Sequence, residues 1–129
     1  MNPTDRKYSK EHEWVKLDGD SGGLVGVTHY AQDHLGDVVY LDIPPVGTDL
    51  VQFAKLGEVE SVKAVSDVFS PISGEILEVN QDAIDHPELV NEDPYGKGWL
   101  LRVRASDIKE LDNLLTSEQY EAFLLEAGD

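Results

Sequence analysis

Glu58-Val59-Glu60-Ser61-Val62-Lys63-Ala64-Val65-Ser66-Asp67 sets one lysine between two β-prone arms of similar length. If the arms pair as a hairpin, Val62 and Lys63 occupy its tip and the ammonium projects into water. Val-Lys is a poor two-residue turn, because the tight hairpin turns demand positive φ and favour Asn or Gly. Turn chemistry alone therefore does not place the hairpin. An enzyme that acylates a lysine needs a side chain that is reachable and held in one register, and such a tip would supply both. Exposed lysines more often signify nothing, so on this segment alone both readings stand.

Outward from the lysine, the chain continues as short apolar runs divided by turn residues. Residues 57–62 and Val65–Phe69 form the two arms. Upstream, Glu13–Leu17 is β-prone and runs into Asp18-Gly19-Asp20-Ser21-Gly22-Gly23, a turn cluster, after which residues 24–27 resume a strand. Thr28 offers an N-cap oxygen for a short helix through Tyr30, Ala31, His34 and Leu35, with Gly36 as its stop. Residues 38–43 read as a strand closed by Pro44-Pro45, and residues 50–53 as another. Downstream, Ser70-Pro71-Ile72-Ser73-Gly74 is a turn and residues 75–79 a half-buried strand. A helical turn is expected within 82–92, with Pro87 at its first position, and a last strand at 99–103. Thr116-Ser117-Glu118-Gln119 fits a capping box for a C-terminal helix presenting Tyr120, Phe123 and Leu124, which Gly128 is placed to end. A faint echo links Gly36-Asp37-Val38-Val39-Tyr40-Leu41 to Gly74-Glu75-Ile76-Leu77-Glu78-Val79, as two related half-sheets would, although strands after glycine often look alike. Strands at this spacing predict a sandwich or small barrel.

Composition narrows the function. The 129 residues suit one domain, and 40% apolar with 28% charged residues is ordinary for a globular chain. With no cysteine, disulfides and thiolate metal sites are excluded, and any thiol chemistry must come from an attached group. Ten Lys plus Arg against 26 Asp plus Glu give a net charge of −16, which repels phosphate backbones and argues against nucleic-acid binding. The same field favours a soluble monomer and faster encounters with basic partners. No apolar run nears the roughly 20 residues that span a bilayer. The polar N-terminus has no export or transit pattern, so a cytoplasmic chain, or a mature form without its leader, is expected.

Catalytic signatures are sparse. His29 and His34 are five residues apart, on different faces of the expected helix, and His12 and His86 have no liganding pattern around them. There is no Gly-x-Ser-x-Gly, and Gly96-Lys97-Gly98 lacks the spacing of a phosphate-binding loop. The residues thus predict no enzyme.

Several longer stretches carry a family resemblance. They are Lys7-Tyr8-Ser9-Lys10-Glu11-His12-Glu13-Trp14-Val15 and Thr28-His29-Tyr30-Ala31-Gln32-Asp33-His34-Leu35-Gly36-Asp37. Gly57-Glu58-Val59-Glu60-Ser61-Val62-Lys63-Ala64, Ser70-Pro71-Ile72-Ser73-Gly74 and Asn91-Glu92-Asp93-Pro94-Tyr95-Gly96-Lys97-Gly98-Trp99-Leu100 follow in order. On these stretches the chain resembles the glycine cleavage system H-protein family over nearly its whole length. Residues 18–23 and the C-terminal tail are less diagnostic.

The resemblance implies a mainly β, lipoyl-domain-like barrel-sandwich hybrid with short peripheral helices and a C-terminal helix, forming one carrier domain over 1–129. It implies a lipoyl group in amide linkage to Lys63, which removes the lysine charge and adds a flexible arm ending in the redox sulfur the chain lacks. The implied role is that of a non-catalytic carrier shared by three enzymes. A pyridoxal phosphate-dependent glycine decarboxylase loads an aminomethyl group, a tetrahydrofolate-dependent aminomethyltransferase removes it, and a flavin-dependent dihydrolipoyl dehydrogenase reoxidises the dithiol. A lipoylating enzyme would attach the arm. By the same resemblance, Glu13, His34 and Asp67 are candidates for a cleft that shelters the arm's cargo.

Three other readings stay open at this stage. An H-like relay that donates lipoyl groups to 2-oxoacid dehydrogenase complexes needs the same lysine and fold. A biotin carrier would place methionines beside its lysine, whereas Val62 and Ala64 flank Lys63 and Met1 is the only methionine. A purely structural β domain is the last.

Overall fold

Strand-forming runs of two to seven residues, several closed by turn residues such as Asp18, Pro44 and Asn80, fold into short strands rather than long ones. The computed structural model describes residues 2–19 and 22–126. In chain order these are β1 (Lys7–Tyr8), β2 (Glu13–Leu17), β3 (Gly22–Val27), α1 (His29–Leu35), β4 (Val38–Asp42), β5 (Asp49–Leu50), β6 (Lys55–Ser61), β7 (Val65–Phe69) and β8 (Gly74–Val79). Then come α2 (Gln81–Asp85), α3 (Glu88–Glu92), β9 (Leu101–Ala105), a 3-10 segment (Ile108–Asn113) and α4 (Ser117–Glu126).

The strands form two sheets. One has the order β1-β2-β3-β9-β8-β5 and the other β4-β6-β7, with every recorded pairing antiparallel. One apolar cluster joins them, with Val15, Val25, Ile76, Leu101 and Val103 from the larger sheet facing Val38, Leu41, Val59 and Val68 from the smaller. This is the expected barrel-sandwich hybrid. A second cluster seats α4 on the outside of the larger sheet, through Tyr8, Trp14 and Tyr120. The two echoing segments lie in different sheets, β4 in the smaller and β8 in the larger.

Local signals explain most boundaries. Thr28 Oγ1 accepts the Ala31 N–H to cap α1, and Gly36 ends that helix at φ +79°, a conformation that disfavours side chains with a Cβ. The capping box at α4 is complete: Gln119 N–H donates to Thr116 Oγ1 at 3.2 Å, and Thr116 N–H to Gln119 Oε1 at 3.0 Å.

Three expectations need correction. The strand predicted at 50–53 shrinks to Asp49–Leu50, because the chain turns at 51–54, with Ala54 N–H bonded to Val51 O and Phe53 at φ +68°. The strand predicted at 99–103 starts later, at Leu101, since Trp99 N–H closes a turn onto Gly96 O. The single helical turn in 82–92 is two helices, and Pro87 caps the second instead of opening it. β1 and the 3-10 segment went unpredicted: Lys7–Tyr8 is too short to show a period, and its partner beyond β2 is distant Leu115. Gly128, and the Asp20-Ser21 pair of the predicted turn, lie outside the described residues.

Candidate functional site

Lys63 stands exposed at the tip of the β6–β7 hairpin. The arms pair from Glu60 opposite Val65 to Lys55 opposite Phe69, and Ser61 N–H bonds Ala64 O at 2.8 Å to close the turn. The turn needs no positive φ, since among the described non-glycine residues only His12 and Phe53 have one. Ser61 supplies what Asn or Gly would have supplied. Its hydroxyl accepts the N–H groups of Lys63 at 3.3 Å and Ala64 at 3.2 Å, so the side chain organises the turn backbone itself.

A neighbouring segment braces the tip. Val62 N–H donates to Asp37 O at 3.0 Å, and the stem of Lys63 lies over Gly36, its Cε 3.6 Å from where a glycine Cβ would stand. No ion pair engages the Lys63 ammonium among the described residues. The side chain is thus reachable, held at its base and uncommitted at its end, which fits a residue that receives an acyl group.

The three cleft candidates occupy different surroundings. Glu13, on β2, is 2% exposed. Its Oε1 accepts the Ser9 hydroxyl at 2.5 Å and its Oε2 accepts the Phe69 N–H at 3.1 Å, at the end of the hairpin away from Lys63. Burial pushes its carboxyl up to about 8, the hydrogen bonds from Ser9 and Phe69 only partly opposing that rise. At neutral pH Glu13 is largely a protonated acid inside the protein. Asp67 is exposed on β7, opposite Glu58, where two carboxylates would repel. Lys55 Nζ relieves this by reaching Glu58 at 2.8 Å and Asp67 at 3.2 Å. His34 is exposed in the last turn of α1, its ring stacked on Tyr30 at 4.0 Å and its Nδ1–H donating to Tyr30 O.

Among the described residues no recorded contact joins these three: Glu13 is buried against the Phe69 backbone N–H, whereas Asp67 is exposed and engaged by Lys55. His34 lies two residues before Gly36, on which the Lys63 stem rests. Beside Phe69 opens a cleft of about 420 Å³ lined by Tyr8, Lys10, Glu11, Phe53, Phe69, Asn113 and Leu115.

Other residues of this region carry no clear signal in the sequence. In the sequence Tyr120 shows only as part of an apolar face, yet its hydroxyl lies 2.8 Å from Thr28 Oγ1 and 2.7 Å from His12 Nδ1. Ser9 and Asn91 stand out in the sequence only as members of longer stretches. The four-residue spacing of Ser9 to Glu13 was the one available signal, but positive φ at His12 folds it into a turn that no periodicity announces.

The sequence model of the family described as glycine cleavage H-protein matches residues 6–127. The chain belongs to that family. It is similar to the glycine cleavage system H protein of Carboxydothermus hydrogenoformans, at 51% identity over 127 residues covering 98% of this chain and 97% of that one. It is similar also to that of Symbiobacterium thermophilum, at 52% identity with 96% of each chain covered. Among solved structures, the crystal structure of a glycine cleavage system H protein from Mycobacterium marinum superposes with TM-score 0.86 at 38% identity, covering 99% of this chain and 100% of that one. Membership makes the chain a carrier in glycine cleavage, working with the other components of that system. The relay alternative draws no support from these relatives. No helix among the described residues is long and apolar enough to cross a membrane.

Proposed function

We propose that the chain is the non-catalytic lipoyl carrier of glycine cleavage and that Lys63 bears the lipoyl group. One observation carries this reading: an exposed lysine, in no ion pair among the described residues, at the tip of a hairpin whose turn and base are both fixed by hydrogen bonds. Attached there, a lipoyl group would supply a dithiolane able to accept electrons and carry a one-carbon amine on sulfur. The chain's residues do the rest. Ser61 and Asp37 hold the tip in one register for the lipoylating enzyme. The rigid sheet beneath presents a tethered group to each partner at high effective concentration.

The partners in this reading are glycine decarboxylase, the aminomethyltransferase and dihydrolipoyl dehydrogenase. A net charge of −16 favours rapid encounter with basic surfaces on them and disfavours nucleic acid. Glu13, His34 and Asp67 would shelter the cargo: a buried acid gives up its proton when a cation arrives, so Glu13 would become a counter-ion only when one is present. We place the carrier in the cytoplasm, as a monomer formed by one domain over 1–129.

Reconstitution tests the reading. Lipoylated wild type with the decarboxylase should support exchange of labelled bicarbonate into glycine, and Lys63→Arg should support none while keeping its fold. Wild-type exchange by Lys63→Arg would overturn the assignment.

A further inference from the structure

Asn91, on α3, does not touch Lys63, yet it grips the segment on which Lys63 rests. Its Oδ1 accepts the Val38 N–H at 2.8 Å, and its Nδ2 donates to Gly36 O at 2.8 Å and to Gln32 Oε1 at 3.1 Å. One carboxamide thus clamps the backbone on both sides of Asp37. Asp37 O is the acceptor for Val62 N–H at the hairpin tip, and Gly36 is the floor under the lysine stem. Gly36 sits at φ +79° where α1 has ended, and β4 is irregular just beyond, between Val38 and Tyr40. Helix and sheet hold only the two ends of this segment, Gly36 N–H bonding Gln32 O and Val38 pairing with Ser61, and the Asn91 carboxamide ties those ends to each other.

We propose that Asn91 is a positioning residue for Lys63, holding the 36–38 segment so that the hairpin tip offers its lysine in one pose to the enzyme that acylates it. This rests on Lys63 being the lipoyl-bearing residue. Asparagine suits the task because it donates and accepts from one short planar group. An aspartate keeps the acceptor for Val38 but loses the donor, and turns a negative oxygen toward Gly36 O. With the clamp open, Val62 and Lys63 sample several poses, of which the enzyme takes one. Apparent affinity falls by the fraction in that pose, while turnover of docked chains is unchanged.

The test compares wild type, Asn91→Asp and Asn91→Ser as unlipoylated chains, the serine variant standing in if the aspartate does not fold. Amide hydrogen exchange is read by NMR, and lipoylation is measured with a purified lipoate ligase, lipoic acid and ATP. If the competent pose falls to about a tenth, the KM for the chain rises about tenfold with kcat within about twofold. Exchange at the Val62 amide accelerates by a similar factor, while Val25 and Leu101 in the central strands keep wild-type protection. Unchanged KM and unchanged Val62 exchange would overturn the proposal, and so would parallel acceleration of every amide, which marks general destabilisation. If wild type accepts no lipoyl group at Lys63, the functional reading fails instead, and Val62 exchange alone then decides whether Asn91 holds the tip.

Discussion

Replacing Glu13 by glutamine should make the protein relatively more stable as pH rises. In the folded chain the carboxyl is pushed up to about 8 by burial, against 4.5 as its ordinary value. Between those limits the folded state keeps a proton that the unfolded state has released, so the stability from this group is complete below 4.5, declines as pH rises, and is gone above 8. The two values lie about 3.5 pH units apart. At 1.36 kcal/mol per unit the upper limit is about 5 kcal/mol across the window. Glutamine has the shape of the protonated acid and does not titrate; its single oxygen keeps one of the two accepted bonds, from Phe69 N–H or from the Ser9 hydroxyl, and loss of the other is a cost that does not vary with pH. Urea unfolding of both chains at half-unit steps from pH 4.5 to 8.5 isolates the effect, since other carboxylates contribute equally and cancel in the difference. The difference should grow in favour of Glu13→Gln by about 3–5 kcal/mol. A difference flat with pH would refute a buried, protonated Glu13.

Gly26→Ala should destabilise the fold by about 2 kcal/mol or more, because a Cβ there would stand 2.6 Å from the Trp14 ring, whose Nε1–H is committed to Val27 O and Pro94 O; thermal melting checks this. Tyr120→Phe removes the hydroxyl shared by Thr28 and His12 and should cost about 1–2 kcal/mol in urea unfolding, more than an exposed tyrosine would. Lys55→Met should leave Glu58 and Asp67 repelling each other across the hairpin, so its melting temperature should rise with added salt more than that of wild type. Glu13→Ala should retain lipoylation yet shorten the lifetime of the loaded cargo, read as faster formaldehyde release; an unchanged lifetime would remove Glu13 from the cleft.

The parts of the fold legible in sequence are those where a local rule sets the structure. Glu13–Leu17 and Val65–Phe69 are strands at the expected limits, Thr28 caps α1, Gly36 stops it, and Thr116 with Gln119 caps α4. Elsewhere distant partners decide. Phe53 accepts a left-handed backbone because its N–H bonds Ser70 O and the turn at 51–54 ties to the segment at 70–73, so a run that reads as β is bent away. The Lys63 hairpin is the instructive case. Its two-residue tip breaks the usual turn preference, and Ser61, one residue earlier, resolves the conflict through its hydroxyl. Asn91 was invisible for a related reason: its donors and acceptors all belong to other elements, so nothing in its own neighbourhood reports its task.

An exposed amine on a fixed tip has meaning as a carrier only if the cell modifies it. Intact and peptide mass spectrometry of the chain purified from its native cells grown on glycine is the most direct measurement. A single lipoyl increment, confined to the peptide containing Lys63, is the expected result. Unmodified Lys63 under those conditions, or the increment on another lysine, would contradict the account.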